Sequence, residues 1–505
     1  MNSGFPMLSR AEGYNFDDMK GKLHKESTVP LYRQLKEILK EAIRRGEFRP
    51  GDRLPTEMEL CETFGVSRIT VRQALNELAS EGFLYRQQGS GTFVNDRIPS
   101  KIETLRIIVP EESWITPLKR AVRIYNRDSS TSWPRVQLEG VIMGGPKFHP
   151  EIASAVGRGQ APDAALIDSV RLREFVDLHY IEPLDQVDPE WVDRYKQDLL
   201  PLFAKNNSYQ GHLWGIQMDA TVAVLWYRKD ILEAEGLAPP RTWEELVVVA
   251  RHLQEEACRR RYGLGPFALA FPGGPEAEEI TTFILSAFIW AAGGELCRRQ
   301  RVVLDEGARN ALRFLYDLVH RHGVASPDVV FYGWKTVPWL FGEGKVALAF
   351  GGSYEKILIQ EVSGWGEEEF RRRVGFLPVP AGPEGGQATT AGGMVYVLFR
   401  QSNHPKVVLE ILKIASSPGL MEEFCRKTGR KPALVSVMRA LHPQKDWFIY
   451  GTSKLLELAH VRPAIPQYIR VSEQLRLMLA NVLLKKKTVE ETLAHAQAVI
   501  DALTR

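Results

Sequence analysis

The chain has 505 residues, 44% of them apolar, which is too long for one ordinary domain and enough to bury more than one core. A net charge of +3, with 15 Lys and Arg against 14 Asp and Glu over residues 1–97, leaves no strongly basic or acidic tract, so bulk electrostatics select no partner. Residues 1–21 are polar and lack the apolar core of an export signal, and the most apolar run, Phe283 to Ala292, is well short of the ~20 residues that cross a bilayer. The expectation is a cytoplasmic protein without a membrane anchor. Cys61, Cys258, Cys297 and Cys425 are scattered without metal-type spacing and read as buried, reduced thiols, and no metal or cofactor is expected.

Pro30 opens a helix that carries Leu31, Leu35, Ile38, Leu39 and Ala42 at helical spacing and stops at Gly46. After a turn at Arg49 to Asp52, Thr56 and Glu59 have the spacing of a capping box and start a short helix through Leu60, ended by Gly65. Ser67 is the N-cap of a third helix with Val71, Ala74, Leu75 and Leu78 on its core face and a stop at Gly82.

Two short helices joined by a tight turn describe a helix-turn-helix, whose second helix enters a major groove with its first residues at the base edges. Those residues are Ser67, Arg68, Ile69, Thr70, Arg72 and Gln73. Arg68 and Arg72 fall one turn apart on the same side, where guanidinium forks reach guanine edges or phosphates. For the helix taken alone, a solvated face with two stray arginines is the plainer reading. The neighbouring segment shifts the balance: Phe83 to Tyr85 and Thr92 to Val94 have strand composition, and Arg86 to Gly91 between them is a glycine-bearing hairpin tip. A hairpin directly after a helix-turn-helix makes a winged helix, and Gly89 at its tip lets backbone press into a minor groove.

Four blocks carry a resemblance: Pro30 to Leu35, Gly51 to Glu57, Gly65 to Leu75 and Gly89 to Val94 resemble, in order and spacing, the GntR-type winged-helix regulators. The resemblance implies double-stranded operator DNA as a partner, contacted by Ser67, Arg68, Thr70 and Arg72 and by a wing tip at Gln88 and Gly89. Arg53 is a candidate phosphate contact, and Met58 stands where the family often has arginine.

Asn95 to Glu103 is polar, contains Pro99 and has no periodicity, which sets expected bounds of 28–97 for the winged helix, 98–103 for a linker and 104–505 for the remainder. Beyond Thr104, apolar strands at Leu105–Val109, Ala164–Ile167, Val222–Tyr227, Val346–Phe350 and Met394–Phe399 alternate with helices at Pro117–Tyr125, after Thr242, and at His404–Ser416. That alternation predicts α/β layers with parallel sheets. No phosphate loop, His-Glu-x-x-His or Gly-x-Ser-x-Gly motif occurs, so an enzyme is disfavoured.

Aromatic side chains placed near loops, Trp214, Trp290, Trp334 and Tyr354, with Asp168 and Asp219 as polar company, suit a small polar solute held at the carboxyl ends of strands. Any one of these tryptophans taken alone is more plainly read as core, and Trp339, in Pro338 to Phe341, is read as core.

Segments from Gly159–Asp163 through Tyr180–Asp185, Trp226–Asp230, Pro239–Leu246, Phe341–Ala347, Thr389–Gly393 and Thr488–Leu493 resemble the maltose-binding-like, sugar-type solute-binding proteins. The resemblance implies a two-lobed, type II periplasmic-binding-protein-like fold with a carbohydrate effector between the lobes, Tyr354 stacking on it, and Asp219, Thr221 and Gly393 near the hinge. Gln217 departs from the proline usual there. The whole reads as an α+β winged helix followed by an α/β two-lobed sensor, and paired half-sites make a homodimer the default. Two alternatives are a transport receptor and a regulator fused to an enzyme-like, pyridoxal-phosphate domain, for which no Schiff-base lysine stands out.

Overall fold

The computed structural model describes residues 23, 30–44, 46–80, 83–87, 90–95, 102–127, 135–145, 148–299 and 301–505, and the chain divides into two units, Met1–Glu103 and Thr104–Arg505.

The smaller unit contains helices α1 (Leu31–Arg44), α2 (Glu57–Phe64) and α3 (Arg68–Ser80) and strands β1 (Leu84–Gln87) and β2 (Gly91–Val94). The local signals act as their chemistry dictates. Thr56 accepts from the Glu59 amide (3.3 Å) while the Glu59 carboxylate accepts from the Thr56 amide (2.7 Å), so two otherwise free donors at the start of α2 are satisfied. Ser67 accepts from the Thr70 amide at 3.2 Å and starts α3. Leu35, Leu39, Leu60, Val71, Leu75, Leu78, Phe83 and Val94 form one buried core. The hairpin pairs antiparallel from Leu84↔Val94 to Gln87↔Gly91, so Arg86 and Gln87 belong to a strand rather than to the expected tip. Gln88 and Gly89 lie outside the described residues, as do residues 28, 29, 82 and 96–101. Arg53 is bridged to Phe93, and its guanidinium lies so close over Gly91 that a Cβ there would sit 2.8 Å from Nε. The arginine could move aside, but Gly91 also has φ +127°, a backbone conformation that side chains rarely adopt, so the wing favours glycine there.

In the larger unit, apart from two short hairpins (Ser208–Tyr209 with His212–Leu213, and Cys297–Arg298 with Arg301–Val302), the strands in chain order are β3 (Ile102–Val109), β4 (Arg135–Ile142), β5 (Ala164–Asp168), β6 (Ile216–Gln217), β7 (Asp219–Arg228), β8 (Leu269–Ala270), β9 (Leu348–Gly352), β10 (Val374–Leu377), β11 (Thr389–Gly392), β12 (Met394–Leu398), β13 (Lys431–Pro432) and β14 (Ala459–Val461). They form two sheets and hence two lobes. The first has order β4-β3-β5-β12-β6, and the second β8-β9-β7-β11-β14, with β10 and β13 also paired to β7. Helices α4 (Ile115–Arg127), α5 (Trp243–Gln254), α6 (Glu279–Ala291), α7 (Pro405–Ala415), α8 (Tyr468–Leu483) and α9 (Val489–Leu503) are among those that cover them. Each sheet has a core on both faces. That is why β5, β7 and β9 are buried almost along their whole length and their inner residues are apolar instead of alternating.

The expectation of parallel sheets is corrected. β3 with β5, β8 with β9 and β11 with β14 are parallel, but β7 is antiparallel to β9, β10, β11 and β13, and β12 is antiparallel to β5 and β6. Two crossings cause this, at each of which the chain leaves one sheet and enters the other: β6 passes to β7 through Met218 alone, and β11 passes to β12 through Gly393 alone.

Two further readings are corrected. Trp339 is 46% exposed, because Val337 and Phe341 occupy the inward side of its short helix, Thr336–Gly342. Cys297 is exposed on a surface hairpin, whereas Cys258 and Cys425 are buried and Cys61 is partly so; none of the four is in a disulfide.

Candidate ligand cleft and nucleic-acid surface

Two adjoining cavities, of about 200 and 450 Å³, share Pro110, Asp168, Glu279 and Met394. Their walls come from both lobes, since Asp168 ends β5 of the first while Thr221 lies on β7 and Tyr354 follows β9 of the second. Both Asp168 and Tyr354 thus stand at carboxyl ends of strands, the place where open α/β sheets bind ligands.

Two arginines, Arg462 buried and Arg430 partly buried, organise the smaller cavity. Arg462, just after β14 and 3% exposed, donates to the Glu279 carboxylate at 2.5 Å and comes within 3.5 Å of Asp168 across the cleft. Its Nε has no partner among the described residues. Glu279, first residue of α6, also accepts from the Tyr468 hydroxyl and from Ser472 (2.6 Å). Burial opposes charge on Arg462, but Asp168, Tyr468 and Glu279 outweigh it and raise its pKa. At Asp168 burial dominates and pushes the carboxyl up, with Arg462 pulling the other way.

Arg430 is the second anchor. It donates to Asp219 at 2.9 Å and to Glu111 at 3.3 Å, and its guanidinium lies 4.6 Å over the Trp114 ring and 5.9 Å from that of Tyr354. Burial raises the Tyr354 hydroxyl well above its ordinary value. The cavity is therefore walled by the rings of Trp114, Phe283 and Tyr354, with Arg430 over Trp114 and Arg462 over Phe283, so guanidinium and carboxylate groups are already held in place.

The backbone crossings beside it are tightly tied. Asp219, fully buried, accepts from the Met394 amide at 2.7 Å; the Met218 amide donates to Met394 at 2.9 Å. Gln217 donates to the Asp219 carbonyl and accepts from Asn207, both at 2.8 Å. Gly393 has no room for a side chain, since a Cβ would lie 2.2 Å from the Asp219 carbonyl oxygen.

Of the residues singled out in the sequence, Asp168, Thr221, Tyr354 and Gly393 line the smaller cavity, and Asp219 anchors Arg430 behind it. Trp214, Trp290 and Trp334 line neither cavity. Trp214 is 4% exposed in the first lobe's core with its indole donating to Tyr209 (2.8 Å), Trp290 stacks on His460, and Trp334 is a surface ring with Lys335 over it. Sequence reasoning missed Arg430, Arg462, Glu279 and Trp114, which come from four separate segments without a local motif.

On the smaller unit, Arg68 and Arg72 have side chains 73% and 55% exposed, and both rest on Glu57 (3.2 and 3.0 Å), with Arg86 at 4.0 Å. The hydrogen bond from Arg72, against opposing burial and with help from Arg68, holds the Glu57 carboxyl below its usual range. Ser67 and Arg53 are exposed and Thr70 is half-buried.

Glu235, His252 and Cys258 bring potential metal-ligating atoms within 4.8 Å of one another. Glu235 is already taken by His252 (2.9 Å), Tyr262 (2.8 Å) and Arg261 (2.5 Å), and Cys258 belongs to the core, so the trio is explained as an ion-pair knot. Among the described residues no helix is long and apolar enough to cross a membrane.

A model of the bacterial extracellular solute-binding protein family matches residues 134–422, more than half of the chain. The chain belongs to that family. Within this solute-binding protein, residues 31–94 match the model of the bacterial regulatory proteins of the gntR family, so it carries a GntR-type winged helix ahead of its two lobes. A Brucella abortus protein named as a binding protein is 23% identical over 359 residues, 70% of this chain and 82% of that one. The HTH-type transcriptional repressor NagR of Bacillus subtilis is 52% identical over 73 residues, 14% of this chain and 30% of NagR. Among solved structures, an ABC transporter solute-binding protein from Thermotoga lettingae, bound with alpha-D-tagatose, superimposes with a TM-score of 0.68 at 20% identity, covering 80% of this chain and 100% of that one. The solute-binding fold is therefore the maltose-binding-like one. Both families are of non-enzymatic kinds, a regulator and a binding protein.

Proposed function

We propose that this protein is a cytoplasmic, ligand-responsive transcription regulator, a homodimer that binds operator DNA through its winged helices and senses a small carbohydrate in the interlobe cleft. One observation carries the reading: a single chain combines a GntR-type winged helix presenting Arg68 and Arg72 with a two-lobed cleft furnished with Arg430, Arg462, Asp168 and Tyr354. Ser67, Arg68, Thr70 and Arg72 contact the major groove, Arg53, Gln88 and Gly89 the backbone and minor groove, and Asp168, Thr221 and Tyr354 the solute. The tagatose in the Thermotoga lettingae structure and the repressor name of NagR support the two halves separately.

Ligand can act on DNA affinity only through a difference in its affinity for two states of the protein. Gel shifts of the purified protein on the DNA upstream of its own gene, with and without a panel of mono- and oligosaccharides, test the reading. A retarded complex altered by at least one sugar is expected, and binding indifferent to every sugar defeats the sensor. Arg68→Ala or Arg72→Ala should weaken operator binding by about 1–3 kcal/mol, and wild-type affinity in both variants rejects the assigned DNA surface.

A further inference from the structure

The two most exposed large apolar side chains of the described residues are both on the winged helix: Ile69, 79% exposed, and Met58, 71% exposed. Ile69 lies in the first turn of α3, two positions before the core residue Val71. At about 100° per residue it points away from the core, on the outward face with Arg72, Gln73 and Asn76, all exposed. A β-branched apolar group on such a face costs helix propensity and removes no surface from water, so folding of the unit gives it no role. The groups flanking it in sequence are charged and exposed: Arg68 and Arg72, 73% and 55% exposed, each pair with Glu57.

In a major groove one base feature matches an isoleucine side chain: the C5-methyl group of thymine, the apolar mark that distinguishes thymine from every other base edge. We infer that Ile69 is a specificity-determining residue that reads a thymine methyl in each operator half-site, between the polar contacts of Arg68 and Arg72. This rests on the proposed DNA-binding function and adds to it a base identity that the arginines, which suit guanine and phosphate, do not supply.

The test uses the full-length protein and duplexes selected by it from a random library, measured by fluorescence anisotropy. Each thymine of the selected half-site is replaced in turn by deoxyuridine, which deletes the methyl group and preserves the pairing and the O4 acceptor. Burial of one methyl is worth about 0.8 kcal/mol, so one position should weaken wild-type binding about four-fold per half-site. Ile69→Ala should bind the thymine duplex more weakly and lose that dependence, whereas Met58→Ala should retain it. Specific binding with no thymine-to-deoxyuridine penalty, or a penalty of equal size in Ile69→Ala, overturns the inference and leaves the regulator reading intact. A library from which no duplex is enriched overturns both.

Discussion

At the scale of single residues, the cleft shows how a buried charge is made tolerable. Arg462 could not be held in an apolar interior without compensation, and the compensation is Glu279 at 2.5 Å with Asp168 nearby. Arg462→Met should therefore destabilise the larger unit by roughly 3–5 kcal/mol, because it strands Glu279 among Tyr468 and Ser472. The double variant Arg462→Met with Glu279→Gln should recover part of the loss. Urea denaturation of the three proteins checks this, and equal midpoints for Arg462→Met and wild type would discard the account. Gly393→Ala has a steric cause instead: its Cβ would overlap the Asp219 carbonyl oxygen, so a loss of about 1–3 kcal/mol is expected by the same measurement. Asp168, Asp219 and Gly393 were singled out in the sequence, but the pairing of Arg462 with Glu279 was not legible there. Arg430 and Arg462 sit in unremarkable contexts, and only the folding together of four distant segments makes them neighbours, whereas Asp168 and Tyr354 could be picked out because the one ends and the other follows a recognisable apolar strand.

Elements were more legible, for a physical reason. Helix starts depend on side chains within three residues of the first turn, and Thr56 with Glu59, Ser67, and Thr242 with Glu245 all cap the helices expected of them. Strand direction depends on where the chain goes afterwards, and so the antiparallel neighbours of β7 were missed. The turn after β9 also stores a pH dependence. Glu355, buried with its carboxylate accepting from the Trp226 indole (3.2 Å), is pushed by burial from the usual carboxylate range up to about 8. Between those two values the native state binds more protons than the unfolded chain, so stability falls as pH rises, at about 1.4 kcal/mol per pH unit. Lys431, on β13 and donating to Ser353 at 2.6 Å, is pushed by burial down to about 7, so the unfolded chain binds more protons above that value and stability falls as pH drops towards 7 from the alkaline side. Glu355→Gln should abolish the decline between pH 5 and 8 and keep the alkaline arm. Guanidinium midpoints across pH 5–10 would show it, and an unchanged acid arm would refute the assignment.

For the whole molecule, the proposal that one chain both senses and regulates has a thermodynamic corollary. If a sugar changes operator affinity by some factor, operator must change sugar affinity by the same factor. Titration calorimetry of the sugar into protein with and without saturating operator should reproduce the ratio found in gel shifts, and a sugar affinity blind to operator would contradict a genuine gel-shift response. The two-unit layout was readable from the sequence because composition and motif content change abruptly near Thr104; the interlobe wiring was not. That wiring bears on how such a chain can change in evolution. Met218 and Gly393 each separate strands of different sheets by a single residue. Because side chains alternate faces along a strand, inserting or deleting one codon at either point would turn one lobe's strand inside out or force its register to slip. A systematic single-codon insertion library should be blank at these two positions and permissive at exposed turns, so family members that differ in length are expected to have grown everywhere except there.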